Sequence, residues 1–459
     1  MRLLRNPTYF FHIPRRRRVC ELLLKTMERD IYHHLEEWKR SSRRKPLILN
    51  GARQVGKTYA LKYFGKSSYD QLVYLNFEKD ERLASYFEGN LDPKQIIKLL
   101  SIHADQDIDP KRTLIVFDEV QQCSQALNSL KYFCEEANEY HLVAAGSLLG
   151  VKTAGGKGFP VGKVNFLHMY PMTFFEFLSA LGQTRLRSML EEKKDYAPFP
   201  SPIHDKLLHL FKYYLFVGGM PEAVAEYVKT ETLNVVREVQ LEILNAYERD
   251  FAKHAPLHEV MKIVTVWKQV HQQLAKENKK FIFAAIRKSA RGRDYEDAIQ
   301  WLVDAGLILK SFLVESPKFP LSAYADNNAF KIFLSDVGLL GAQSHLMPQV
   351  IIEGDRLFTE FKGALTENYV VQEIIATKQA SPYYWASPGM AEVDFLFENR
   401  QEIYPLEVKA GDSSKKKSLL VYQQKYAPSK LFRATTMNLK HDGNIYNFPL
   451  YLVSRCPFE

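Results

Sequence analysis

Residues 51 to 58 read GARQVGKT, and this stretch constrains the chain more than any other. It satisfies GxxxxGK[ST] and lies between an apolar LIL and an amphipathic stretch beginning at Tyr59, the strand-loop-helix setting the pattern requires. Glycines there let backbone N–H groups point at phosphate oxygens with no Cβ in the way, and a helix N-terminus favours an anion. Gly51, Ala52, Arg53, Gln54, Val55, Gly56, Lys57 and Thr58 are therefore the candidate nucleotide-binding residues. Lys57 is placed to hold the β- and γ-phosphates and Thr58 to ligate Mg2+. A second stretch, LIVFDE at 114 to 119, ends an apolar strand in two acids, where burial without partners is costly. Metal coordination accounts for Asp118. Glu119 beside it is placed to orient or deprotonate a water that attacks the γ-phosphate, which separates a hydrolase from a binder. Ser147, at the end of LVAAGS, is a candidate γ-phosphate sensor, with a plain turn serine as the alternative.

The 459 residues exceed what one core usually serves, and a prior of roughly 150 residues per domain gives about three domains. Hydrophobic residues at 46% and charged residues at 25% fit a folded soluble chain and exclude disorder as the dominant class. No uncharged apolar run of about 18 residues is present, so the expectation is a cytoplasmic protein without a membrane span. Cys20, Cys123, Cys134 and Cys456 have no CxxC spacing, which argues against a structural zinc site or a disulfide framework. Of the net charge of +9, six units lie in residues 1 to 26, which carry seven basic residues against Glu21. Net charge alone therefore does not imply DNA binding by the body of the chain.

Residues 1 to 26 read as a basic, disordered tail interrupted by Pro7 and Pro14; its alternative is an arm that touches nucleic acid or membrane. Met27 opens a helical pattern with Ile31, Leu35 and Trp38 on one face, and either Met1 or Met27 can begin translation. From residue 27 to 180 short apolar runs (PLILN, LVYLNF, TLIVF, HLVAAG, KVNFLHM) alternate with helical stretches, as a parallel α/β sheet requires. Residues 181 to 280 are mostly helical, broken by the turn VGGMPEA. Residues 281 to 345 follow helix, turn, helix, strand, the order of a winged helix. Arg287, Lys288, Arg291 and Arg293 there could contact phosphates, but Asp294, Glu296, Asp297 and Asp304 oppose DNA docking and favour a packing or protein-interaction role. Residues 355 to 459 predict a helix, GALTENYVVQEIIATK, followed by the strands YYWAS, EVDFLF and IYPLEVK, a separate small α/β unit.

That last region carries a second constellation. Glu367 on the predicted helix, Asp394 within EVDFLF, and Glu407 and Lys409 two residues apart on one strand face form an E…D…ExK pattern. Three carboxylates and one ammonium suit divalent metal, with Asp394 and Glu407 as ligands and Lys409 steadying the attacking water of phosphodiester hydrolysis. The alternative is that the acid beside a lysine is only a salt bridge.

The chain resembles the bacterial and archaeal AAA-type P-loop ATPases that open with GARQVGKT and end in an uncharacterised C-terminal region. The resemblance is carried by GARQVGKT, VFDEVQ at 116 to 121, GSLLG at 146 to 150, FPVGKVNFLHMYPMTFFEFL at 159 to 178, FVGGMPEAV at 216 to 224, LTENYVVQEI at 365 to 374, EVDFLF and PLEVKAG. It implies ATP and Mg2+ as cofactors and a homo-oligomer through the ATPase domain. Enzymes of this type usually borrow an arginine from a neighbouring subunit; Lys163 and Arg53 are the basic candidates here. The C-terminal pattern resembles the PD-(D/E)XK, restriction-endonuclease-like fold, which implies DNA as a partner and a second divalent metal. The expectation is thus an α/β chain: a P-loop sheet domain, a helical and winged-helix middle, and a nuclease-like C-terminal domain. In function this is an ATPase that drives or gates a nuclease-like domain, against a nucleotide-dependent switch whose C-terminal domain is non-catalytic. A small-molecule kinase fits poorly, because no acceptor base beyond Glu119 is visible.

Overall fold

The computed structural model describes residues 27–147, 160–275, 281, 292–350, 359–388, 391–399, 401–411 and 417–458. Strands β1 (Leu47–Asn50), β2 (Gln71–Asn76), β3 (Thr113–Asp118), β4 (His141–Gly146) and β5 (Asn165–His168) form a sheet in the order β2-β3-β4-β1-β5, parallel throughout. Alternate residues of β1, β2, β3 and β4 enter different cores. Leu114 and Val116 join Leu47 and Leu49 on one face, whereas Ile115 and Phe117 join Ile48 and Ala144 on the other. The first face is covered by α1 (Ile31–Arg40) and α2 (Lys57–Ser68), the second by α3 (Pro93–Ala104) and α4 (Ser124–Glu136). Burial on both sides explains why these strands read as unbroken apolar runs.

The helical stretch follows as α5 (Phe174–Ala180), α6 (Thr184–Glu192), α7 (Ser201–Val217), α8 (Pro221–Thr230), α9 (Leu233–His254) and α10 (Val260–Leu274). Thr173 and Glu176 close a reciprocal capping box at the head of α5, satisfying two N–H groups that the first turn leaves over. The VGGMPEA turn between α7 and α8 is a packing device. A Cβ on Gly219 would lie 2.0 Å from the Met172 carbonyl oxygen, so only glycine fits. Met172 N–H donates to the Gly219 carbonyl at 2.6 Å, and Gly219 N–H donates to Asp336 Oδ2 at 2.6 Å.

Beyond α11 (Gly292–Asp304) come the antiparallel pair β6 (Ile308–Val314) and β7 (Ala325–Leu334), then α12 (Val337–Gln343) and α13 (Thr359–Lys378). The C-terminal strands are β8 (Tyr383–Ala386), β9 (Glu392–Asn399), β10 (Glu402–Val408), β11 (Leu431–Thr435), β12 (Lys440–Asp442) and β13 (Ile445–Pro449), with α14 (Lys417–Tyr426) between β10 and β11. These do not stand apart as the sequence reading has it. They share an eight-stranded sheet with the preceding hairpin, in the order β12-β13-β11-β10-β9-β8-β6-β7. The junction is a parallel pairing of Phe312 with Tyr383 and Leu313 with Tyr384, which covers a β8 edge that would otherwise expose unpaired backbone groups.

Residues 282 to 291, with the first helix and turn of the winged-helix reading and Arg287, Lys288 and Arg291, lie outside the described residues, as do the tail to residue 26 and residues 148 to 159 after β4. Among the described residues no helix is long and apolar enough to cross a membrane.

Candidate functional site

The nucleotide loop runs from the end of β1 into α2, and its backbone leaves little choice of residue. A Cβ on Gly51 would sit 2.3 Å from the Met169 carbonyl oxygen, and Gly56, the residue before α2, has a left-handed backbone with φ +96°. Gln54 is also left-handed at φ 64°, strain of the kind that gathers where backbone must meet a ligand. Lys57 is nearly buried, and its ammonium donates to the carbonyls of Gly51 (2.9 Å) and Ala52 (2.8 Å). Burial pulls its pKa down to about 8, partly offset by the carboxylates of Glu119 and Asp118.

Thr58 Oγ1 donates to Asp118 Oδ2 at 2.7 Å, so the two residues read as Mg2+ ligands are already side by side. Asp118 is 1% exposed and also accepts from the Tyr74 hydroxyl at 2.6 Å. Burial, then that hydrogen bond, raises the Tyr74 pKa well above its usual value, which keeps it a donor. A hydroxyl and a carboxylate are the hard oxygen donors that suit Mg2+, an ion that usually completes its shell from substrate phosphates and water. Accordingly, the described residues contain no group of three or more His, Cys, Asp or Glu side chains set to hold a metal on their own. Glu119 leaves β3 with a left-handed backbone, φ 51°, and accepts from Gln121 Nε2 at 2.6 Å. Ser147 follows the last residue of β4, the strand next to β3.

Several residues that hold this site carry no motif. Arg29 is 5% exposed and clamps the loop: Nε donates to Glu176 (2.8 Å), Nη1 to the Val55 carbonyl (3.0 Å) and Nη2 to the Tyr170 carbonyl (2.7 Å). The Arg53 side chain turns to α9, where it ion-pairs with Asp250 and meets His254 Nε2 at 3.0 Å, while the Tyr247 hydroxyl donates to the Arg53 carbonyl at 2.9 Å. The other basic candidate, Lys163, pairs with Glu135 at 2.9 Å. Gly306, in the turn between α11 and β6, rests on the loop: a Cβ there would lie 3.2 Å from Ala52 N.

In the C-terminal sheet, Asp394 on β9 and Glu407 on β10 lie on neighbouring antiparallel strands, one step beyond the Phe395–Leu406 pair. Asp394 Oδ2 accepts from the Val408 N–H at 2.7 Å, and Glu407 Oε1 accepts from Lys409 Nζ at 3.0 Å. Burial raises the Glu407 pKa against the pull of Lys409. Burial lowers that of Lys409, but Asp394, Glu407 and Glu367 together outweigh it. Glu367 on α13 is 6% exposed. Asp394, Glu407 and Lys409 are therefore side by side on β9 and at the end of β10, and Glu367 is within electrostatic reach of them. So is one that the pattern misses, Lys331 on β7, wholly buried and ion-paired with Glu392. The long-range β6–β8 pairing joins its hairpin to the C-terminal strands, so no local signal announces it.

Residues 43–178 match the family model described as an AAA domain. Residues 208–350 and 362–452 match two models, each described as a domain of unknown function (DUF8612 and DUF4143). No curated protein matches the chain. Among solved structures it is similar to a Walker-type ATPase of Pyrococcus abyssi at 13% identity and TM-score 0.43, covering 69% of this chain and 96% of that one. It is similar to the Aeropyrum pernix ORC1 protein in complex with DNA at 12% identity and TM-score 0.30, covering 71% and 92%. A third likeness is to the Thermotoga maritima RuvB Holliday junction branch migration motor, at 11% identity and TM-score 0.26, covering 65% and 89%. Likeness at these scores bears no weight for function. The AAA match over the segment that holds GARQVGKT, Asp118 and Glu119 makes residues 43–178 an AAA-type P-loop ATPase domain.

Proposed function

We propose that the protein hydrolyses ATP in a Mg2+-dependent reaction at the Gly51–Thr58 loop, and that the nucleotide state drives or gates a nuclease-like C-terminal region acting on DNA. The observation that carries the first part is the 2.7 Å contact of Thr58 with Asp118, with Glu119 directly after it. Backbone N–H groups of the loop hold the phosphates, and Lys57 exchanges its two carbonyl partners for β- and γ-phosphate oxygens. Thr58 and Asp118 would hold Mg2+, which neutralises phosphate charge when bound. Glu119 orients the attacking water and takes its proton, for which Gln121 must share or release the carboxylate; Ser147 senses the γ-phosphate. A homo-oligomer through this domain completes the reading.

The test is ATP turnover with Mg2+. Glu119→Gln should lower the rate about a hundred- to ten-thousand-fold while ATP still binds. A variant that keeps its rate would end the assignment of Glu119. Stimulation of turnover by DNA supports coupling to a nucleic-acid substrate.

In the C-terminal region Glu367, Asp394, Glu407 and Lys409 are the proposed nuclease-like residues, with Asp394 and Glu407 as the ligands of a second divalent ion. One observation favours a second reading, a nucleotide-dependent switch with a non-catalytic C-terminal region: Asp394 is committed to the Val408 N–H and Glu407 to Lys409. Plasmid nicking by the native chain, compared with Asp394→Ala and Lys409→Ala, separates the two.

A further inference from the structure

Asn50 ends β1 directly before the nucleotide loop, and the GxxxxGK[ST] pattern gives it no role. It is wholly buried, yet neither its Nδ2 nor its Oδ1 has a hydrogen-bond partner among the described residues. A buried amide left in this way costs free energy that an apolar residue of the same shape would not, so packing gives no reason for it. The strand ends do. Ile48, Ala144 and Phe117 are aligned across β1, β4 and β3 and share one core. Two residues on, the period of two returns to that face at Asn50 and its register partner Gly146, and Glu119 leaves β3 at the same level. Gly146 presents no side chain between them. Neighbouring strands lie about 4.8 Å apart, so β1 and β3 are separated by roughly 10 Å, a gap that the Asn50 and Glu119 side chains can close with one water between them. The orphaned atoms also name the ligand. An amide presents a donor and an acceptor, whereas phosphate oxygens and the Glu119 carboxylate only accept, and water does both. At the Glu119 end, Gln121 donates to the carboxylate at 2.6 Å while its own Oε1 is buried without a partner among the described residues.

We propose that the Asn50 side-chain amide holds the attacking water beside Glu119 at the carboxyl end of the sheet. The inference rests on the hydrolysis reading above and adds a residue to it. The water's oxygen bonds to the γ-phosphorus as the bond from that phosphorus to the β,γ-bridging oxygen breaks. One proton of the water passes to Glu119, and ADP leaves with the bridging electron pair. Two anchors fix where the water's lone pair points, which raises the rate of attack. They add little affinity, because the amide meets the nucleotide only through the water. An amide that is unanswered in the free protein and used during turnover is the exchange of stability for function expected at such a site.

The experiment uses the full chain and measures single-turnover ATP hydrolysis with Mg2+, equilibrium binding of a fluorescent ATP analogue, and melting temperature without nucleotide. The native chain is compared with Asn50→Leu, Glu119→Gln and the double variant. Asn50→Leu, close in shape and apolar, should hydrolyse about ten- to a hundred-fold more slowly while binding the analogue within about twofold of the native chain and melting no lower. In the double variant the two losses should not multiply, because both act on one water. A native rate in Asn50→Leu overturns the proposal, as does a rate that falls together with affinity or melting temperature, or a double variant whose losses multiply. Should Asn50→Leu not fold, Asn50→Thr and Asn50→Val decide: they are alike in shape, but the Thr hydroxyl donates and accepts, so the Thr chain should hydrolyse faster. Equal rates overturn the proposal, and so does failure of both the Leu and Val chains to fold, which would make the amide structural. A native chain that does not hydrolyse ATP removes the hydrolysis reading and this inference with it. Turnover lost in Glu119→Gln but kept in Asn50→Leu removes this inference alone.

Discussion

Lys57 shows how one side chain can link phosphate binding to protons. In the free loop its ammonium donates to two backbone carbonyls, and burial, partly offset by Glu119 and Asp118, has brought its pKa to about 8. Phosphate oxygens supply full negative charge, so the bound form must hold its proton more tightly. Near pH 8, ATP binding should therefore take up protons, seen as a binding enthalpy that varies with the ionisation enthalpy of the calorimetry buffer. Lys57→Met should remove that uptake; an enthalpy independent of buffer in the native protein would contradict the assignment. At this scale the loop and the Asp118–Glu119 pair were legible, because backbone cradling of phosphate and metal ligation dictate residue type at fixed spacing. Arg29, Tyr74 and Asp250 were not. Arg53 and Asp250 are separated by 197 positions, and no local pattern marks such a pair.

Among the elements, the turn between α11 and β6 meets the nucleotide loop most directly. Gly306 has φ +74°, and a side chain there would press on Ala52 at 3.2 Å. Gly306→Val should cost about 1–3 kcal/mol by overpacking and should weaken ATP binding as well as stability. Equilibrium binding of a fluorescent ATP analogue beside a melting curve checks both; loss of stability with affinity intact would show that the contact is not felt by the ligand. Helices and strands were readable one by one, since burial on both faces gives apolar runs and burial on one gives the helical period. The union of β6 with β8 was not readable, because periodicity states which face of a strand is buried but not which strand lies beside it.

Across the molecule, one apolar core runs from Ile31 through the helical region to Val453, and buried acids bridge its parts. Glu373 on α13 accepts from the Phe174 N–H at the head of α5 at 2.8 Å, and Asp336 accepts from Gly219. Burial raises Glu373 to about 8 and Asp336 to about 6. Both folded values exceed the ordinary ones, 4.5 and 3.8, so the folded state binds more protons than the unfolded one between them. Their contribution is complete below those ordinary values and is lost as pH rises through about 6 and then about 8. Melting temperature should fall from pH 5 to pH 9, and Glu373→Gln should flatten the curve; a Glu373→Gln profile as steep as the native one would exclude this carboxyl as the cause.

The pairing of β6 with β8 also limits how such a chain can arise and diversify. Recombination between β7 and β8 would divide a hydrogen-bonded sheet, leaving each half with a bare edge and parting Lys331 from Glu392. The pairing therefore predicts that a change in one segment must be matched in the other, and that substitutions at Lys331 and at Glu392 track one another through descent, which an alignment of relatives would check.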